Sequence, residues 1–214
     1  MTRRDDGVGA ARHDDAIDQS SRPDPAAPPV IDLVTFRRAQ GGDREAFAEI
    51  VRALQRPALR LATVVAGDPT EAHDIVQDAF VRAFGALASL RSQDALRPWV
   101  MRAVANQAKN ARRGRQRRER RHLRVAGARP PEPETTEQAA LSGLMGEQVM
   151  RALRLLPGRD RQVLACRYLA ELNERETAEV LGVPAGTVKS RTARALERLR
   201  AAYAETEDGD GPAD

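Results

Sequence analysis

At 214 residues and 23.4 kDa the chain has room for one domain or two small ones, which excludes a large α/β catalytic scaffold. Aromatic side chains are only 3% of the total, and 35 Lys and Arg stand against 31 Asp and Glu, a formal net charge of +4. That small excess conceals a local one. Lys109, Arg112, Arg113, Arg115, Arg117, Arg118, Arg120, Arg121 and Arg124 share a short stretch with one acid, Glu119, so a +8 segment sits in a chain whose remainder sums to −4. Such a segment suits a polyanion, and nucleic acid is the first candidate.

A single cysteine, Cys166, excludes an internal disulfide, and the three histidines (His13, His73, His122) have no metal-ligand spacing. Catalytic residues, metal and cofactor are all expected to be absent. No run of roughly 18 apolar residues occurs, and the chain begins Met-Thr-Arg-Arg-Asp-Asp, polar where a signal peptide is apolar, so a cytoplasmic location without membrane insertion is expected. Of the basic residues only Lys109 and Lys189 are lysine, a hint of a GC-rich genome.

Residues 1–30, with Pro23, Pro25, Pro28, Pro29 and few large apolar side chains, read as a disordered tail. A helical domain is expected over 31–122. Its first helix, capped by Asp43, carries Phe47, Ile50, Val51 and Leu54 at helical spacing and continues to Val65 with a kink or restart at Pro57. Asp68-Pro69-Thr70-Glu71 starts a second helix that buries Ala72, Ile75, Val76, Ala79, Phe80, Ala83 and Leu87, leaving Asp74, Gln77, Asp78 and Val81 on another face. After a polar connector, Ser89 to Arg97, Pro98 begins a third helix. It turns Leu96, Trp99, Val100, Ala103 and Val104 inward and Arg102, Asn106, Lys109 and Arg113 outward, a row offering phosphate contacts and one amide for a base edge.

Gly127, Pro130, Pro131 and Pro133 with Glu132, Glu134 and Glu137 make 123–139 a flexible acidic linker. A second helical domain follows over 140–203. Amphipathic helices run Glu147–Leu156 and Arg159–Leu169, the latter burying Val163, Leu164 and Tyr168, with Pro157-Gly158 between them. Asn173–Leu181, stopped by Gly182, and a last helix from Ala185 to about Tyr203 then have the helix-turn-helix plan. The last helix opens with Ala185, Gly186, Thr187, Val188, Lys189, Ser190 and Arg191, small and hydrogen-bonding residues suited to close approach in a groove, with Arg194 for phosphate. Residues 204–214 read as a frayed acidic tail. The fold expected is all-α: two small helical domains joined by a flexible linker.

Leu156-Pro157-Gly158-Arg159-Asp160-Arg161-Gln162-Val163-Leu164, Glu176-Thr177-Ala178, Leu181-Gly182-Val183-Pro184 and Gly186-Thr187-Val188-Lys189-Ser190-Arg191 together closely resemble region four of the extracytoplasmic-function sigma factors, the small branch of the bacterial sigma-70 family. Ala72-His73-Asp74-Ile75-Val76-Gln77-Asp78-Ala79-Phe80 resembles that family's region two, and Arg97-Pro98-Trp99 to Asn106 its promoter-reading helix. The likeness covers about residues 36–122 and 140–203. It departs at His73, where Glu is usual, at Asn110, commonly Asp, and at Thr177, usually Ile.

The resemblance implies a transcription-initiation factor. Asp74, Gln77, Asp78 and Val81 then bind core RNA polymerase at the β′ clamp helices, with the β flap as a further polymerase contact. Ser89, Arg91 and Asp94 hold melted non-template bases of the −10 element, and Arg102, Asn106, Lys109, Arg112 and Arg113 bind DNA around it. Ala185, Gly186, Thr187, Lys189, Ser190, Arg191 and Arg194 read double-stranded −35 DNA, and an anti-sigma factor is a further partner. The alternative is a helix-turn-helix regulator that acts without docking on polymerase. A repressor of that kind offers no role for the Asp74/Gln77/Asp78 face, and an enzyme needs an acid-base or metal cluster that the spacing does not supply.

Overall fold

Asp32, Asp43, Asp68 and Asn173 each accept a hydrogen bond from a backbone N–H two or three residues further on, and these side chains start four of the helices. The structure, a computed structural model, describes residues 31–126 and 146–208. The expected tail over 1–30, positions 127–139 of the expected linker, residues 140–145 and the chain end from 209 lie outside the described residues.

The first half comprises α1 (Leu33–Gln40), α2 (Arg44–Ala66), α3 (Pro69–Ala86) and α4 (Leu96–Ala126), with short 3₁₀ turns at Leu87–Ser89 and Gln93–Ala95. The second half comprises α5 (Glu147–Leu155), α6 (Gly158–Leu164), a π turn at Ala165–Leu169, α7 (Glu174–Leu181) and α8 (Ala185–Asp208). Among the described residues there is no strand, and the all-α expectation holds.

In the first half α2, α3 and α4 pack around Ile50, Leu54, Leu61, Val76, Phe80, Val100, Met101 and Val104. Leu54 and Leu61 are both wholly buried, and each such side chain contributes roughly 1.5–3 kcal/mol. Their continuity explains the outcome at Pro57, where a kink or a restart is expected: α2 is one helix from Arg44 to Ala66 and does not restart. Proline inside a helix costs about 3 kcal/mol, less than is gained by burying the unbroken stripe Ile50, Leu54, Ala58, Leu61 on both sides of it.

Four elements differ from expectation at their boundaries. α1 was not anticipated; it is held through Gln40, whose Nε2 donates to the carbonyls of Leu87 (3.1 Å) and Leu90 (2.9 Å) and so anchors the connector to α4. α4 begins two residues before Pro98, which therefore sits in the first turn where no intrahelical donor is needed, and its far end takes in positions 123–126 of the expected linker. The helix expected over Arg159–Leu169 ends at Leu164 in the π turn, closed by Ala170 N–H to the Ala165 carbonyl at 2.9 Å. The extra residue in that turn rotates Tyr168 outward to 54% exposure, so it is not a core residue as the spacing suggests. Finally, α8 extends past Tyr203 to Asp208, and Tyr203 ties it back by donating from its hydroxyl to Gln148 Oε1 at 3.0 Å.

The second half packs around Met150, Leu153, Leu156, Val163, Cys166, Leu172, Val180, Val188 and Ala195. Burial pushes the Cys166 thiol up to about 12, consistent with a small core residue and not a nucleophile. The halves also touch one another: α4 lies against α7, and α2 against α6 and the π turn.

Candidate functional site

The face of α3 carrying Asp74, Gln77, Asp78 and Val81 is exposed, while Ile75, Val76, Ala79 and Phe80 between them are buried. Val81, 67% exposed, is an apolar side chain held in solvent. Beside it runs a groove of about 500 Å³ between α2 and α3, walled by Phe47, Val51, Val76, Phe80 and Phe84, with the Phe47 and Phe84 rings edge to face at 4.9 Å. His73 is also exposed, and its Nδ1 lies 3.2 Å from the Pro69 carbonyl oxygen, so this nitrogen carries the proton in that contact.

Ser89, Arg91 and Asp94 are exposed in the connector, where Ser89 Oγ donates to the Ala86 carbonyl at 2.6 Å. On α4, Arg102, Asn106 and Arg113 are exposed, and Lys109 and Arg112 are half-buried. Arg112 lies against Gly67, the left-handed C-cap of α2 (φ 77°), where a Cβ would meet its Nη1 at 2.8 Å. Gly67 is thus required by its left-handed backbone, whereas the end of the flexible Arg112 side chain could shift from an added Cβ. Burial, with the nearby Arg115 charge, pushes the Arg112 guanidinium below its ordinary range.

Arg115 belongs to the basic run yet has a structural task. Its Nη1 meets Glu71 Oε2 at 2.6 Å and Asp68 Oδ2 at 3.5 Å, and its Nη2 donates to the Ala66 carbonyl, so it fastens α4 over the α2–α3 corner. Arg117, Arg118, Arg120 and Arg121 remain exposed. The stretch therefore divides between one clamp and a row facing solvent, a distinction that charge counting does not reveal.

The helix-turn-helix is built by small local devices. Asn173 accepts from Glu176 N–H while Glu176 Oε2 accepts from Asn173 N–H, a reciprocal cap on α7. Gly182 at φ 65° ends α7, and Val188 and Ala195, both wholly buried, seat α8. Ala185, Gly186, Lys189, Ser190 and Arg194 are exposed, and Thr187 and Arg191 half-buried. A Cβ added to Gly186 would meet no atom within 4 Å, so its lack of a side chain is not required by packing here. Arg194 Nε donates to the Ser190 carbonyl at 3.2 Å, and Arg198 pairs with the buried Asp160 to fix α8 on α6.

One contact joining the halves has no sequence signature. Arg97, 9% exposed, donates from Nη2 to the carbonyls of Ala170 (2.7 Å) and Glu171 (3.0 Å), and its Nη1 lies 3.9 Å from Glu176 Oε1. Glu171 adopts φ 54°, unusual without glycine, and its carboxylate reaches Arg60 at 3.7 Å. With the halves so joined, Arg102 and Asn106 line a cleft of about 640 Å³ together with Gly182, Val183 and Pro184 at the turn before α8. Asp94 likewise shares a cleft with Asn173, Arg175 and Glu179 of the second half.

Among the described residues there is no group of three or more His, Cys, Asp or Glu placed to hold a metal, and no helix long and apolar enough to cross a membrane. Residues 50–118 match the family description Sigma-70 region 2, and residues 152–201 match Sigma-70, region 4. The RNA polymerase sigma-H factor of Pseudomonas aeruginosa is 31% identical over 187 residues, covering 78% of this chain and 91% of that protein. The ECF RNA polymerase sigma-E factor of Escherichia coli K12 is 33% identical over 191 residues, covering 79% and 93%. The sigma factor RpoE of Bartonella quintana, solved in complex with the anti-sigma factor NepR, shares the fold with a TM-score of 0.58 at 23% identity, over 74% of this chain and 96% of that one. Both regions occur in order along one chain, and the relatives are matched over nine-tenths of their length, so the chain belongs to the sigma-70 family, among its extracytoplasmic-function RNA polymerase sigma factors.

Proposed function

We propose that this sigma factor docks on the β′ clamp helices of core polymerase through Asp74, Gln77, Asp78 and Val81. The observation that carries this reading is the exposure of all four on one face of α3 while the residues between them are buried. Residues 31–122 act as region two and 140–203 as region four, the latter also contacting the β flap, and the linker beyond the end of α4 at Ala126 lets them separate. Ser89, Arg91 and Asp94 receive extruded −10 bases, a step that costs a few kcal/mol of unpairing and needs a surface that binds the free base. Arg102, Asn106, Lys109, Arg112 and Arg113 hold the adjoining DNA, mostly through phosphates. Ala185, Gly186, Thr187, Lys189, Ser190, Arg191 and Arg194 bring the start of α8 into the major groove of the −35 element.

The protein acts by binding and not by making bonds, works in the cytoplasm where polymerase and promoter are, and is held inactive by an anti-sigma factor; that the fold is shared with a sigma factor solved alongside one supports the last point. Charge reversal at Asp78 tests the docking face. Asp78→Arg should lower core-polymerase affinity by tenfold or more with helical content unchanged by circular dichroism, and wild-type affinity in that variant refutes the assignment.

A further inference from the structure

A further concave surface adjoins the −10 reading face and shares Lys109, Arg112 and Arg113 with it. Between α4 and the α5–α6 corner is a cavity of about 510 Å³ whose lining includes Lys109, Arg112, Arg113, Arg154, Arg159 and Arg161, two glutamines and no carboxylate. Asp160 pairs with Arg198, and Glu119 and Glu147, outside the lining, act electrostatically on Arg112 and Arg154 respectively. Arg161 is the most informative residue. It is 3% exposed and donates from Nη2 to the Leu156 carbonyl at 2.7 Å, yet its Nε and Nη1 are buried without a hydrogen-bond partner among the described residues. A buried cation with two unmet donors is costly unless an anion meets it.

We propose that this cavity binds a small polyanion of the phosphate class, a pyrophosphate or tripolyphosphate group, free or as the phosphate arm of a nucleotide. The volume falls within the range of small-ligand pockets, roughly 300–1,000 Å³. A DNA backbone is a poorer occupant, because Arg161 lies below the surface where a duplex could present a phosphate. Burial and the nearby Arg112 charge push Arg161 down to about 10, the direction expected where a cation is desolvated beside a like charge. Lys109, Arg112 and Arg113 come from the first half and Arg154, Arg159 and Arg161 from the second, so the ligand ties the halves together in the arrangement seen here. Lys109, Arg112 and Arg113 are shared with the proposed −10 contacts, so ligand and promoter DNA compete for them; binding of the ligand to the free chain does not rest on that reading, whereas its effect on promoter binding does.

Calorimetric titration of the full chain at constant ionic strength tests the site, with tripolyphosphate as probe and orthophosphate, sulfate and a nucleoside triphosphate as comparators. Tripolyphosphate should bind saturably, one per chain, at least tenfold more tightly than orthophosphate or sulfate. A nucleoside triphosphate that binds tighter still identifies a nucleotide as the source, and equal affinity identifies the free polyphosphate. Arg159→Gln, at an exposed lining position, should weaken binding by about tenfold, the loss expected for one charged hydrogen bond. Arg117→Gln, exposed on α4 and outside the cavity, should leave it unchanged. Arg161→Met should abolish binding, and if that variant does not fold, the comparison of Arg159→Gln with Arg117→Gln decides. Absence of saturable binding, or equal loss in Arg117→Gln and Arg159→Gln, overturns the proposal.

Discussion

Replacing Arg97 by methionine should release the second half of the molecule from the first. The side chain keeps much of its volume, but the hydrogen bonds to the Ala170 and Glu171 carbonyls, 2.7 and 3.0 Å long, are lost. A hydrogen bond from a charged donor contributes roughly 1.5–3 kcal/mol. Burial holds the Arg97 guanidinium below its ordinary pKa range, so part of that gain is offset by desolvation, although the Glu176 and Glu171 carboxylates recover some of it. A net loss of about 2–4 kcal/mol from the joined arrangement follows, and about 2.8 kcal/mol is a hundredfold shift toward separated halves. The consequence for promoter reading is geometric. Asn106 and the turn before α8 line one cleft, whereas −10 and −35 elements roughly 25 base pairs apart are about 85 Å apart along a duplex at 3.4 Å per pair. On the proposed promoter contacts, both elements are read only after the halves separate. Small-angle scattering of Arg97→Met should therefore show a larger radius of gyration, with helical content retained, and the variant should bind a two-element promoter duplex more tightly than the unaltered chain does in the absence of polymerase. An unchanged radius in a folded Arg97→Met protein refutes the reasoning.

Two other outcomes are expected. Thr177 is wholly buried and its hydroxyl has no hydrogen-bond partner among the described residues, so Thr177→Val should raise stability by about 1–2 kcal/mol in urea denaturation; a lower midpoint shows that the hydroxyl is satisfied. In α8, Thr187→Ala or Lys189→Ala should change the ranking among −35 sequences by roughly 1–3 kcal/mol, while Arg194→Ala weakens all of them alike and lowers the salt slope by about one counterion. Binding to a panel of −35 duplexes at several salt concentrations checks this, and a change of sequence ranking in Arg194→Ala alone reverses the placement of the helix.

Local features were the legible ones. Asp43, Asp68 and Asn173 announce their helices because a cap acts over two or three residues, and the buried and exposed faces of α3 follow from spacing within one helix. The stripe of α2 reads past Pro57 to Val65 in the sequence, but that the helix does not restart there is decided by tertiary burial contributed by α3 and α4. The π turn has no signature in the sequence: one extra residue in a turn changes no composition, yet it moves Tyr168 from the expected core to solvent. Arg97, Arg115 and Arg161 show the limit most clearly. Each looks like another surface cation in a list of arginines, and only contacts across 73, 44 and 5 residues of sequence distinguish the latch, the clamp and the buried donor. Thr177 is the partial exception, since a threonine where the resembled family has an apolar residue marks the position in the sequence itself.

The central claim, that this chain directs polymerase to promoters through two reading faces, is tested most directly by run-off transcription with core polymerase and start-site mapping across a fragment library. The purified chain should convert core polymerase from random initiation to starts at a defined set of sites sharing −35 and −10 elements, with Asp78→Arg strongly reduced at all of them. Transcription that the chain leaves unchanged, or only represses, contradicts the account.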